Sequence, residues 1–248
     1  MNVLRNFAGA IVLSLVLPAA PAWAQGTYQT YVVDPVAHTI AIHWKDDTGS
    51  RFSSIRKLKA WLEAKHEKLL FATNGGIFET DYSPLGLYIE DGKVRHPLNT
   101  GQGAGNFYFQ PNAVFYIDNN GGHVVKTADF KYTDDIVTAT QSGPMLVDDG
   151  EINEAFKPGS PNLLVRTGVG IDDAGKVVFA KGSGVNLYEF AQYFRDTLHC
   201  RNAMFLDGTI SLMYTQQADK SQLGGDFATI LSVSEPQMSS PAQNVQTK

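Results

Sequence analysis

A chain of 248 residues with 20 basic and 25 acidic side chains carries a net charge of −5, which disfavours nucleic acid or an anionic membrane as a non-specific partner. Its one cysteine, Cys200, excludes an intramolecular disulfide and reads as a small buried hydrophobe, so stability has to come from packing. Residues 1–24 read as a secretory signal: Arg5 precedes an apolar run from Ala8 to Ala20, and Ala22 Trp23 Ala24 supplies a small-x-small cleavage site. The run contains Pro18 and is too short for a membrane span, and no cysteine follows it to carry a lipid anchor. Cleavage after Ala24 leaves 224 residues with 19 basic and 25 acidic side chains, a net charge of −6. The mature chain is expected to be periplasmic or secreted, with no membrane span. It is long enough for one sizeable core, which places one domain at 25–233.

The mature chain opens on two alternating runs, Tyr28 to Asp34 and His38 to Trp44, separated by Pro35 Val36 Ala37 and read as a hairpin. Ser54 starts an amphipathic helix with Ile55, Leu58, Trp61, Leu62 and Leu69 on its apolar stripe. From Leu69 strands dominate, punctuated by Glu90 Asp91 Gly92, Asp118 to Gly122, Asp148 Asp149 Gly150 and Asp172 to Gly175, all of which favour hairpins. Asn186 with Glu189 three residues on is a capping box for a second helix carrying Leu187, Phe190, Ala191, Phe194 and Leu198 on one face. That helix delivers the chain to a strand at Ala203 to Leu206. After Val233 apolar periodicity gives way to Ser, Pro, Gln and Asn, so 234–248 reads as a disordered tail. The expected fold class is α+β: a twisted, mostly antiparallel or mixed β-sheet with two or three helices packed on one side.

Chemistry concentrates where β-prone runs empty into polar residues beside glycine. Phe71 Ala72 Thr73 leads to Asn74 Gly75 Gly76, Ala139 Thr140 Gln141 leads to Ser142 Gly143 Pro144, Arg166 Thr167 stands before Gly168, and Phe205 Leu206 leads to Asp207 Gly208 with Ser211 just beyond. Three such strand ends can line one pocket, and with Arg166 Thr167 Gly168 added the set offers an acid, amide and hydroxyl donors, backbone N–H groups and a guanidinium. That set suits a phosphorylated sugar better than a hydrocarbon. Asp207 taken alone also reads as a turn-former whose carboxylate bonds its own backbone, and Glu79 as a solvated loop acid. The Gly101 to Asn106 run lacks the lysine of a nucleotide phosphate loop and reads as a mobile loop flanking the pocket. The six histidines show no zinc spacing, and no nucleophile elbow occurs, so neither a metal nor a cofactor is expected.

In order and spacing, Asn74 Gly75 Gly76 with aromatic Phe78, then Ser142 Gly143 Pro144, Arg166 Thr167, and Leu206 Asp207 Gly208 with Ser211 resemble the phosphodiester glycosidase domain family, bacterial branch. That family is related to the mannose 6-phosphate uncovering enzyme, N-acetylglucosamine-1-phosphodiester alpha-N-acetylglucosaminidase. The resemblance implies an exported hydrolase that cleaves a sugar-1-phosphodiester on an envelope or exogenous glycan. It implies Asp207 and Arg166 in the catalytic set, with Arg166 gripping phosphate, and Asn74, Gly75, Gly76, Ser142, Gly143, Thr167, Gly208 and Ser211 as substrate contacts; Glu79, just after the Asn74 to Phe78 turn, joins the catalytic set as the second carboxylate that glycosidic cleavage usually needs. Many members have glycine where Thr209 and Ile210 stand, which points to a different substrate. A phosphodiesterase attacking phosphorus and a non-catalytic envelope glycan-binding protein are the alternatives.

Overall fold

A computed structural model describes residues 26–208, 210–217 and 220–237. The expected signal segment and the chain beyond 237 therefore lie outside the described residues. In chain order β1 (Thr27–Val33) and β2 (Thr39–His43) precede α1 (Ile55–Ala64), which leads into β3 (Glu67–Asn74). Next come β4 (Tyr88–Glu90), β5 (Lys93–His96), β6 (Ala113–Asp118), β7 (Gly121–Lys126), β8 (Thr138–Ser142), β9 (Met145–Asp148) and β10 (Glu151–Ile152). Then follow β11 (Leu164–Asp172), β12 (Val177–Val185), α2 (Leu187–Gln192), a π-helical turn over Tyr193–Thr197, β13 (Cys200–Asp207), β14 (Met213–Thr215) and β15 (Ile230–Pro236).

The strands build three sheets rather than the one expected. Their orders are β1-β12-β11-β13-β9-β10, β14-β3-β15-β2 and β5-β4-β8-β6-β7, and the pairings are antiparallel. The inner faces of all three enclose one core. Phe71 from the four-stranded sheet stacks on Phe179 from the six-stranded sheet at 4.8 Å, and Phe115 from the five-stranded sheet meets Phe179 edge-on at 6.0 Å. Such ring pairs contribute roughly 0.5–1.5 kcal/mol each beyond their buried area. They also lock the sheets together at one point.

Each sheet's outer face is apolar as well and needs its own cover. Helix α1, capped by Ser54 accepting from the Lys57 N–H at 3.3 Å, lays Ile55, Leu58 and Leu62 against Leu69, Ala72 and Ile230 of the four-stranded sheet. Helix α2 has the capping box read from Asn186 and Glu189 and sets Phe190, as the π-helical turn after it sets Phe194, over Ala180, Cys200 and Phe205 of the six-stranded sheet. The third outer face gathers Leu87, Ile89, Val114 and Ile136 with Leu98 and Phe130. The helices thus cover different sheets, which corrects the expectation of helices on one side of a single sheet. With two short helices against three sheets, the architecture is predominantly antiparallel β. No described helix is long and apolar enough to cross a membrane.

The β1–β2 hairpin is a second correction. Asp34 does turn the chain, its carbonyl accepting from the Ala37 and His38 N–H groups, but β1 pairs with β12 and β2 with β15, in different sheets. Alternation fixes which face of a strand is apolar and leaves its partner open. Leu69 belongs to β3, since α1 stops at Ala64 and His66 takes a left-handed φ of 60°. At the other end β15 continues to Pro236, three residues past the expected boundary. The four hairpin turns read from Asp and Gly all connect antiparallel neighbours; Asp91, Gly92, Asp149 and Gly150 take the positive φ those residue types tolerate.

Candidate functional site

The polar strand ends meet where the three sheets meet. Asn74 ends β3 of the four-stranded sheet, Ser142 ends β8 of the five-stranded sheet, and Thr167 and Asp207 face each other across β11 and β13 of the six-stranded sheet. The register there jumps from Gly168 opposite Phe205 to Thr167 opposite Asp207, a bulge that leaves Leu206 as the extra residue. Ser142 takes the Leu206 carbonyl, its Oγ donating at 2.8 Å, while the same Oγ accepts from the Ile77 N–H at 3.3 Å. The Thr167 hydroxyl lies 2.8 Å from Asn74 Nδ2, from which it accepts, and 3.0 Å from the Asp207 carbonyl, to which it donates. Ser211 also donates to that carbonyl, at 2.8 Å. Thr73 adds a bond to the Leu212 carbonyl at 2.9 Å.

This arrangement is a buried polar staple with one carboxylate at its rim. Asn74, Ser142 and Thr167 are at most 3% exposed, whereas Asp207 retains 7% and Gly208 and Ser211 are half-buried. Asp207 Oδ1 accepts from the Gly208 N–H at 2.6 Å, the local bond of a turn-former. A carbonyl held by two hydroxyls fixes the backbone of Asp207, and a fixed backbone fixes where its carboxyl stands. Buried hydrogen-bonded networks of this kind are rigid because breaking one member leaves its partner unsatisfied in a low-dielectric site.

Several residues expected to touch substrate are buried within the fold. The glycines were read as exposing backbone donors, yet Gly75, Gly76 and Gly143 are buried, and the Gly75 N–H donates to the Thr229 carbonyl at 2.9 Å. A side chain at Gly75 would lie 2.0 Å from Thr229 Oγ1, and one at Gly76 would lie 2.7 Å from the Gln141 carbonyl. The turn after β3 passes between Thr229 and β8 with room only for glycine. Glu79 is exposed on the hairpin that follows, where Phe78 bridges Pro84. Tyr82 clamps that hairpin, its hydroxyl donating to Asp226 at 2.6 Å and its ring lying 3.6 Å from the Arg51 guanidinium carbon. Glu79 is therefore next to the staple in sequence and outside its hydrogen bonds.

Arg166 requires the largest correction. Successive β11 residues alternate, so Thr167 faces the junction and Arg166 shares the opposite face with Gly168 and Gly170, beneath Phe190 and Phe194. There Arg166, 1% exposed, donates from Nε to the Val185 carbonyl and from Nη2 to the Asn162 carbonyl, both at 2.9 Å. Burial pushes its pKa down, and its guanidinium lies 5.9 Å from the Phe205 ring. It pins the segment before β11 to the end of β12 instead of reaching out beside Asp207 as a phosphate fork.

Sequence reasoning passed over Gln141, one residue before Ser142. Its buried amide accepts from the Leu87 and Asn99 N–H groups at 3.0 and 2.9 Å and donates to the Asn99 carbonyl at 2.7 Å, rooting the Gly101–Asn106 loop beside β8. A glutamine inside a β-prone run was the available signal. Cys200 is buried as expected, and burial pushes its thiol up to about 12.

The sequence profile of the phosphodiester glycosidase family matches residues 67–232. The chain belongs to that family. The phosphodiester glycosidase match opens at the first residue of β3 and closes within β15, so every member of the staple lies inside it. YigE, an uncharacterized protein of Escherichia coli strain K12, is 34% identical over 238 residues, covering 94% of this chain and 93% of that one. A Burkholderia pseudomallei K96243 protein of solved crystal structure, described as exported, shares the fold with a TM-score of 0.53 and 11% identity, over 83% of this chain and 73% of that one. The present chain also carries β1, β2 and α1 ahead of the stretch matched to the family. They supply an edge strand to each of two sheets and the cover of one.

Proposed function

We propose that the protein is an exported hydrolase that cleaves a sugar-1-phosphodiester, with Asp207 as the carboxyl group acting at the anomeric centre. Family membership carries the reaction class. The clamped carbonyl of Asp207, held by Thr167 and Ser211, supports the residue assignment. In the proposed step water oxygen bonds to the anomeric carbon as the bond from that carbon to the phosphodiester oxygen breaks. Asp207 stabilises the oxocarbenium-like centre or hands a proton to the departing oxygen. Phosphate leaves more readily than an alkoxide, so one firmly positioned carboxyl suffices, with Glu79 from the neighbouring hairpin or a water in support. Asn74, Ser142 and Thr167 act in this reading as positioning residues. Gly208 and Ser211, half-buried at the rim, are the substrate contacts we retain.

Hydrolysis in heavy-oxygen water tests the bond that breaks. Label on the sugar hydroxyl is expected; label in the released phosphate means attack at phosphorus and overturns the reading. Export is supported by the composition of residues 1–24 and by the exported description of the Burkholderia relative. The intact mass of protein recovered from the envelope or medium is expected to begin at Gln25, and a chain starting at Met1 would rule export through this signal out.

A further inference from the structure

A groove of about 960 Å³ opens between the segment before β11 and helix α2, and it shares no residue with the Asp207 junction. One wall is the 159–163 segment, held by Arg166 on the Asn162 carbonyl and by Asn186 Nδ2 on the Ser160 carbonyl at 3.1 Å. Tyr28 of β1 lies against Gly182, and Tyr193 stacks on Tyr28 at 3.9 Å and 12°, with its hydroxyl 3.0 Å from Thr30 Oγ1. The volume is in the upper part of the roughly 300–1,000 Å³ usual for small-ligand sites. Tyr28 also precedes residue 67, so the groove is built in part from outside the stretch matched to the family.

The ionisable groups lining the groove include two carboxylates. Of its carboxylates, Glu189 accepts from the Asn186 N–H at 3.2 Å, and Asp196 accepts from Arg195 Nε at 2.7 Å. Among the described residues no lysine or arginine lines it. No basic side chain offers an anion a counter-charge there, and the Glu189 carboxylate, bonded to a backbone N–H, keeps acceptor capacity for hydroxyl groups. What remains is an aromatic pair flanked by Pro161 and exposed Leu163, edged by the Gln192 amide and the Ser160 and Thr197 hydroxyls. Apolar faces rimmed by neutral hydrogen-bonding groups match a sugar ring, which has C–H faces and a hydroxyl edge.

We infer that this groove binds the neutral portion of a glycan, at a site separate from Asp207. Binding there does not require hydrolysis, so its test is independent of the proposed reaction. Calorimetry on the full chain would use maltotetraose, cellotetraose and chitotetraose as probes, with pentalysine as the charged comparison. At least one tetrasaccharide is expected to bind, and Tyr193→Ala is expected to weaken it by roughly tenfold, the scale of a lost aromatic contact. Tyr193→Phe should retain most of the affinity. Gln192→Ala, at an exposed position where the fold is not at stake, should also weaken binding. Absence of binding by all three sugars, binding unchanged in both Tyr193→Ala and Gln192→Ala, or pentalysine binding in place of sugar would each overturn the inference.

Discussion

Asp207→Asn is expected to lower kcat on a sugar-1-phosphodiester by roughly 10²–10⁴, the usual scale for losing a general acid or base, while substrate binding persists. The substitution keeps the size of the side chain and its capacity to accept from the Gly208 N–H, and it leaves the main-chain carbonyl on which Thr167 and Ser211 converge. The ionisable group is lost, so the main effect is expected on the transition state. Turnover measured beside calorimetric affinity separates the two effects. Near-normal kcat in Asp207→Asn would remove the residue from the mechanism. A fall in affinity that accounts for the whole loss would make it a binding group.

Arg166→Lys is expected to destabilise the protein by about 2–3 kcal/mol, because hydrogen bonds from a charged donor contribute about 1.5–3 kcal/mol each. A single ammonium cannot take over the places of both Nε and Nη2, so either the Val185 or the Asn162 carbonyl loses its partner. For a domain of this size that corresponds to a fall of roughly 5–10 °C in Tm. Protease sensitivity is expected to rise around residues 159–163, the segment this side chain holds. Hydrolysis of a phosphodiester substrate and of its phosphate-free glycoside should be affected alike. An unchanged Tm with selective loss of phosphodiester affinity would show that the guanidinium serves the substrate and would undo the assignment as a pin.

Much of the site was legible in the chain because a polar residue ending a β-prone run has few reasons to be there. Asn74, Ser142, Thr167 and Asp207 were found that way, and the structure gathers them although Asn74 and Thr167 stand 93 positions apart. The hairpin turns were legible for a local reason too: Asp-Gly pairs accept positive φ, and Asn186 with Glu189 satisfies the first N–H groups of α2 within three residues. Signals of this kind depend on the backbone within a few residues of themselves. Sequence is sufficient for them.

Partnership is a different matter. Alternation in β1 and β2 gave each strand an apolar face, and packing then sent one to β12 and the other to β15, where distant residues completed the core. The side to which Arg166 points depends on which face of β11 is turned to the three-sheet junction, and so on contacts across the sheets. Whether a buried amide or hydroxyl serves a ligand or the fold is decided by the atom that ends up opposite it. For Ser142 that atom is the Leu206 carbonyl, 64 residues away. The sequence alone determined which residues had to be polar at the strand ends; tertiary structure decided that most of them bond one another and the backbone of Leu206 and Asp207, because hydrogen-bonding capacity is assigned by proximity in space and proximity here is created by three sheets closing on one core.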